Sequence, residues 1–232
     1  RDAVLLAAWA ELEPEAGKAI ADRQGDPLAT RPMAGLALGA LPGAHWSALA
    51  PEGALRANGL IALGRAERTA ERSLALPEAV LLFLLGAPGL SEELAALCRR
   101  ADPPDAAAMT PARQRLRDDI SAAAAANTGA ALQLCGPDPA GKLVAAAAAC
   151  PTLFVMPGGA LPQAPGDAER LARIWRRDLV LTDGALLLEA EDAEARPLGA
   201  FAEAMTGPLL LTAPDAVPLR RRASMRFDMS PA

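Results

Sequence analysis

Apolar and polar positions follow two different rhythms along this chain, and the change falls near residue 101. Before it, apolar residues recur mainly at three- and four-residue intervals, the spacing of helices. Asp2 to Leu12 reads as a first helix, stopped by Pro14. Pro32 to Leu41 reads as a second, with Thr30 as its cap and Pro42-Gly43 as its end. A third, short helix is predicted from Trp46 to Leu55. Leu60 to Leu63 and Ser73 to Leu76 then read as two strands around the polar stretch Gly64 to Arg72, a hairpin with a projecting loop. Pro77 opens a helix reaching Leu85, and Ser91 caps another carrying Leu94 and Leu97. Three helices followed by a small hairpin is the order of a winged helix. Residues 1–101 are expected to form that domain around Leu5, Leu38, Leu60, Leu82 and Leu85.

Residues 102–111 hold the adjacent prolines Pro103 and Pro104 and three alanines without helical period, and read as a linker. Over residues 112–232 the rhythm becomes short apolar runs between helical segments, the signature of βαβ units around a parallel sheet. Thr110-Pro111 opens a helix to about Ala126. Five strands are predicted, at Ala131–Cys135, Leu153–Met156, Ala185–Glu189, Pro208–Thr212 and Ser224–Asp228. Helices are predicted between them at Lys142–Ala149, Asp167–Leu181, with Gly184 as its stop, and Ala193–Met205. The expectation is a three-layer α/β domain with a five-stranded parallel sheet, Ala131–Cys135 lying between Pro208–Thr212 and Ser224–Asp228.

Composition narrows the function classes. The 232 residues are 52% hydrophobic, but only 3% aromatic, with no tyrosine. Apolar stretches such as Ala79 to Leu85 are far short of the ~20 residues that span a bilayer. A net charge of −5 argues against general affinity for nucleic acid or anionic membrane. Cys98, Cys135 and Cys150 are odd in number and widely spaced, which fits a reducing cytoplasm better than a disulfide framework. His45 is the only histidine and no Cys-x-x-Cys occurs, so neither a Ser-His-Asp triad within the second domain nor a zinc site is expected.

One motif carries chemistry. The strand at Ala131–Cys135 runs into Gly136-Pro137-Asp138-Pro139-Ala140-Gly141-Lys142-Leu143 and then a helix. This fits Gly-x-x-x-x-Gly-Lys of a P-loop in its strand–loop–helix setting. There the glycines let backbone amides curl around phosphate, and the lysine reaches the terminal phosphates. Gly136, Gly141, Lys142 and Leu143 are the nucleotide-site candidates. The motif is incomplete: Leu143 stands where Ser or Thr would hold Mg²⁺, and Pro137 and Pro139 remove two amide donors. Ala185 to Asp192 then reads as a buried strand ending in carboxylates. Glu189 falls at the metal-coordinating place and Ala190 where a water-activating glutamate would stand, with Glu191 and Asp192 one and two residues late. A solvated strand end before a helix is the competing reading of these acids. Thr212 ends the next strand, either as a polar group near a terminal phosphate or as an exposed end. Arg220-Arg221-Arg222 reads as an arginine finger or a charged turn. In the winged helix, the stretch from His45 to Gly53 has no Arg or Lys to read DNA, and Glu67 and Glu71 interrupt the wing's arginines.

Together, the winged-helix order, the linker, the incomplete P-loop and the two strands after it resemble bacterial AAA+ ATPases with an N-terminal winged-helix domain, found among other places in gene clusters for contractile injection systems. Arg31 to Leu38, His45 to Leu49 and Pro77 to Gly86 add local resemblance, as does Arg1 to Leu12. The resemblance implies a degenerate ATPase-like domain ahead of a second, active one. The helical lid expected after Met225–Pro231 is absent from this chain, and both ends look cut from something longer. The expectation is therefore a non-catalytic assembly or protein-interaction module binding ATP weakly and Mg²⁺ hardly at all. Its partner would be a protein client or sister AAA+ domain, with oligomers in the full-length protein and neither nucleic acid nor membrane. The alternatives are an active Mg-dependent ATPase that remodels a client and a winged-helix DNA-binding regulator.

Overall fold

The computed structural model describes residues 1–126, 129–191 and 194–229. The chain divides into two units at Pro88–Gly89.

In the first unit, α1 (Asp2–Leu12) is followed at once by α2 (Pro14–Gln24). The first helix stops before Pro14, as expected, and Pro14 itself sits in the first turn of a second helix that the apolar pattern does not predict, where its missing N–H costs nothing. Gln24 organises the turn that follows. Its amide donates to the carbonyls of Ala29 and Arg31, and its Oε1 accepts from Met33 N. Then come α3 (Ala34–Ala40), a 3₁₀ turn (Trp46–Leu49) and α4 (Ala54–Ala57). The single helix expected from Trp46 to Leu55 is thus two short pieces, separated across Pro51. His45 accepts from Ser47 N at the head of the 3₁₀ turn. The hairpin is present as β1 (Ala62–Leu63) and β2 (Leu74–Ala75), antiparallel, and Met33 bridges Ser73 beside it. The last helix is α5 (Glu78–Leu84). The core forms around Ala7, Ala34, Ala37, Leu49, Ile61 and Leu74. Of the five leucines expected there, only Leu38 packs against it, while Leu5 and Leu85 are exposed.

The second unit begins ahead of the expected linker. Leu94 of α6 (Glu92–Ala95) is fully buried in its core. Asp178 fixes this stretch from below by accepting from Ser91 N at 2.8 Å. The short strand β3 (Arg99–Arg100) then joins the main sheet, antiparallel to its neighbour. The remaining elements are α7 (Pro111–Ala125), β4 (Ala131–Cys135), α8 (Pro139–Ala149), β5 (Leu153–Pro157), α9 (Pro165–Thr182), β6 (Ala185–Glu189), α10 (Ala195–Ala204), β7 (Leu209–Ala213) and β8 (Ser224–Asp228). The sheet is six-stranded and mixed, in the order β3-β5-β6-β7-β4-β8, rather than five-stranded and parallel. The extra strand escapes sequence reading because two arginines carry no apolar run. The five predicted strands are all parallel, and β4 lies between β7 and β8 as expected.

Helices cover both faces, and strand alternation assigns the side chains. Phe154, Met156, Leu186, Leu188, Leu209 and Leu211 pack under α9 and α10, with Trp175 and Phe201 at the centre. Leu132, Leu134, Val155, Leu187 and Leu210 face α7 and α8. Asp183, not Gly184, takes the left-handed conformation that ends α9 (φ 49°). Asp192 and Ala193, the latter expected to open the following helix, lie outside the described residues, as do Ser230 and Pro231. Between β7 and β8, buried Gln133 of β4 clasps the connection by bonding both the N–H and the C=O of Val217. No helix among the described residues is long and apolar enough to cross a membrane.

Candidate functional site

The chain leaves β4 for β5 on one side of the sheet and returns to β8 on the other. Connections that diverge in this way open a crevice at the carboxyl ends of the strands. Residues 136–142 occupy that end, between β4 and α8. Gly136 has φ +123°, and a Cβ there would sit 2.4 Å from the carbonyl oxygen of Met229, so only glycine fits.

Lys142, in the first turns of α8, has a side chain with no exposure to solvent. An ammonium has three donors, and each is satisfied within the protein. Nζ donates to Gly136 O at 3.0 Å, to Ala213 O at 3.1 Å and to Glu191 Oε1 at 3.1 Å. The other Glu191 oxygen accepts from Thr212 Oγ1 at 2.9 Å. Lys142, Glu191 and Thr212 therefore form one continuous polar cluster. Glu189 is not in it; its carboxylate points to the Arg99 guanidinium, 3.9 Å away. The acid one residue late in sequence is the one that reaches the lysine, since the chain has left β6 and can turn inward. Thr212 is buried, not an exposed strand end.

Three of the loop amides are also committed. Gly136 N donates to Pro214 O and Lys142 N to Asp138 O. Gly141 N donates to Asp138 Oδ1 at 2.8 Å, which makes Asp138 the cap of α8. The second Asp138 oxygen meets Arg113 Nη2 at 3.2 Å, and Arg113 Nη1 holds Ala108 O. The Gly141 amide, followed by Arg113, keeps the Asp138 carboxyl below the ordinary carboxylate range. A carboxylate thus rests on the helix N-terminus, the place where a P-loop offers its amides to phosphate.

Beside the loop lies a cleft of about 390 Å³, lined among others by Leu143, Glu189, Glu191 and Thr212. Leu143 brings a hydrocarbon to it where Mg²⁺ would need a hydroxyl. With the Thr212 hydroxyl donated to Glu191 and Glu189 turned to Arg99, these residues do not fit a Mg²⁺–nucleotide centre. Asp192 lies outside the described residues. A second cavity, of about 310 Å³, opens at the amino ends of the strands near Gly129, Cys150 and Gly207. We place the site at the carboxyl ends because ligands of open α/β sheets bind there.

No protein-family model, curated protein or solved structure matches this chain. Its site must be read from its own geometry.

The arginine triplet divides. Arg220 and Arg221 are exposed, whereas Arg222 turns inward and donates to the carbonyls of Gly129, Ala202, Met205 and Gly207. Burial lowers its pKa to about 10. It closes the C-terminal end of α10 and is not free to act on a neighbour. Burial likewise pushes the Cys98 and Cys150 thiols up to about 11, away from nucleophilic use. Sequence reasoning missed Asp138 and Arg113. An Asx residue three positions before the motif's second glycine is a recognisable capping signal, but no sequence spacing links position 113 to it.

Proposed function

We propose that this chain is a non-catalytic assembly or protein-interaction module, built as a winged helix followed by a degenerate AAA+-type P-loop domain. The observation that carries the reading is Lys142: all three of its donors are held by Gly136, Ala213 and Glu191, leaving none for a phosphate. In phosphoryl transfer the protein contributes positioning and charge stabilisation, and both need that lysine, a metal-holding hydroxyl and free loop amides. ATP binding is therefore weak, with a dissociation constant of about 0.2 mM or poorer, on the order of −5 kcal/mol. Mg²⁺ has no place on the loop.

Strand order supports the AAA+-type reading, since the loop strand β4 sits between β7 and β8 with the remaining parallel strands to one side. The first unit supports the winged-helix reading: Met33 pairs beside the β1–β2 hairpin after helices α1 and α2, as a third short strand would. Protein contact is supported by α1, where Leu5, Trp9 and Leu12 recur at helical spacing and are 46%, 49% and 44% exposed. A stripe of this kind, with Glu11 and Glu13 around it, suits a protein surface and repels a phosphate backbone.

The test is a phosphate-release assay on the 232-residue chain beside Lys142→Ala. Equal silence from both is expected. Steady Mg²⁺-dependent turnover that Lys142→Ala abolishes would refute the non-catalytic reading.

A further inference from the structure

We propose that the outer edge of strand β8 is a pairing site for a second copy of this chain, joining two sheets antiparallel about a two-fold axis that passes by Phe227. The proposal concerns the sheet edge and does not depend on how the loop at residues 136–142 is read.

The backbone is the first argument, because the two edges of the sheet differ. At one edge, β3 is two residues long, both arginine, and Pro103 and Pro104 follow closely, so little can pair there. At the other, β8 is five residues long without proline or bulge, and its outer side pairs with no strand among the described residues. Ala131 N donates to Ala223 O, and Met229 N donates to Cys135 O. Parallel pairing alternates along a strand, so Met225 and Phe227 turn their N–H and C=O groups to β4. Those of Ser224, Arg226 and Asp228 turn outward, where a further strand can take them up.

Charge selects the occupant and its register. In a two-fold antiparallel pair, outward-turned residues face outward-turned residues. Two registers keep most of the strand paired. One sets Arg226 opposite Arg226; the other sets Arg226 opposite Asp228, twice. The first juxtaposes like charges, and the second is self-complementary. Within one chain Arg226 already bonds Asp228, with 2.8 Å from Nε to Oδ1 and both side chains at least half exposed. Pairing in the second register builds a square of four charges in which each neighbour has the opposite sign.

Room is the third argument. The same register puts Phe227 opposite Phe227 at a non-hydrogen-bonded position, where side chains come closest. Both rings then lie on the α7 side of the sheet, since Phe227 packs against the cluster that holds Leu116 and Ile120 of α7. A cleft of about 480 Å³ between α7 and β8, lined among others by Arg115, Leu116, Asp119 and Phe227, gives the second ring a place.

The experiment is analytical ultracentrifugation of the 232-residue chain and its charge variants. The parent is expected to show a monomer–dimer equilibrium between about 1 and 200 µM. Arg226→Asp and Asp228→Arg each set like charges opposite one another, and each should weaken self-association at least about tenfold. Mixed in equal amounts, the two variants are complementary again and should form a heterodimer of parental strength. Phe227→Cys should give a disulfide-linked dimer under mild oxidation that the parent does not, because Cα atoms at such a pair lie about 4.5 Å apart. Circular dichroism establishes that each variant is folded, and the cysteine cross-link decides if a charge variant is not. A parent that stays monomeric overturns the proposal. So does a dimer that both charge variants retain, which would place the contact elsewhere, as on the exposed stripe of α1. A mixture that recovers no dimer, or a folded Phe227→Cys chain that does not cross-link, overturns it as well.

Discussion

The two units bury their apolar residues in different ways. In the second, a five-strand parallel array presents both faces to helices, so nearly every strand side chain from β4 to β7 is buried. Trp175 and Phe201 fill one layer, and Ile120, Leu134 and Leu187 belong to the other. The first has two strands of two residues each, and half of its core cluster is alanine. It leaves Leu5, Trp9, Leu12, Phe83, Leu84 and Leu85 exposed. Alanine permits close helix approach but removes little area from water, at about 25 cal/mol per Å². The second unit therefore has the deeper core and holds a polar cluster rigidly inside it. The first buries fewer large apolar side chains and leaves several of them exposed.

Three measurements test this contrast. Trp175→Ala has the largest expected effect, a loss of about 3–5 kcal/mol, because it empties the centre of a packed layer. Thermal unfolding should show the loss in the second unit's transition alone. Trp175→Phe should cost much less, since the indole Nε1 is buried with no hydrogen-bond partner among the described residues. A small effect of Trp175→Ala would break the picture of a deep core. Leu74→Ala, in the buried heart of the hairpin unit, should cost about 2–3 kcal/mol and lower only the first transition. A single shared transition for both variants would mean the units do not fold independently.

The smallest effect is the acid limb of stability. Folding lowers the pKa of Asp138, so its contribution is present above the ordinary carboxylate pKa and is lost as pH falls through the lower, folded value. Urea melts of the parent should weaken below about pH 4 more steeply than those of Asp138→Asn, which does not titrate. Parallel acid limbs would show that the Gly141 and Arg113 contacts do not persist in solution.

How much of this was legible in advance depends on the range of the interaction. α1, β4, β6 and β8 have the bounds their apolar patterns give, because a run of strand or helix residues buries a face by its own periodicity. The P-loop-like spacing was equally local. β3 was hidden, because its two arginines are strand only through pairing with β5. The boundary shifted for the same reason: Ser91 and Leu94 are claimed by Asp178 and the core beneath α9.

The sequence by itself determined the alternation of strands and helices, the loop at the end of β4 and the absence of a hydroxyl at position 143. Each of these follows from residue type and short-range spacing, which the chain carries wherever it folds. Only the tertiary structure decided that Glu191 rather than Glu189 meets Lys142, that Arg113 backs Asp138, and that Arg222 closes α10. Those pairs span from 15 to 93 residues of chain. A buried charge takes the partner that packing brings within about 3 Å, and no local pattern encodes which one that is.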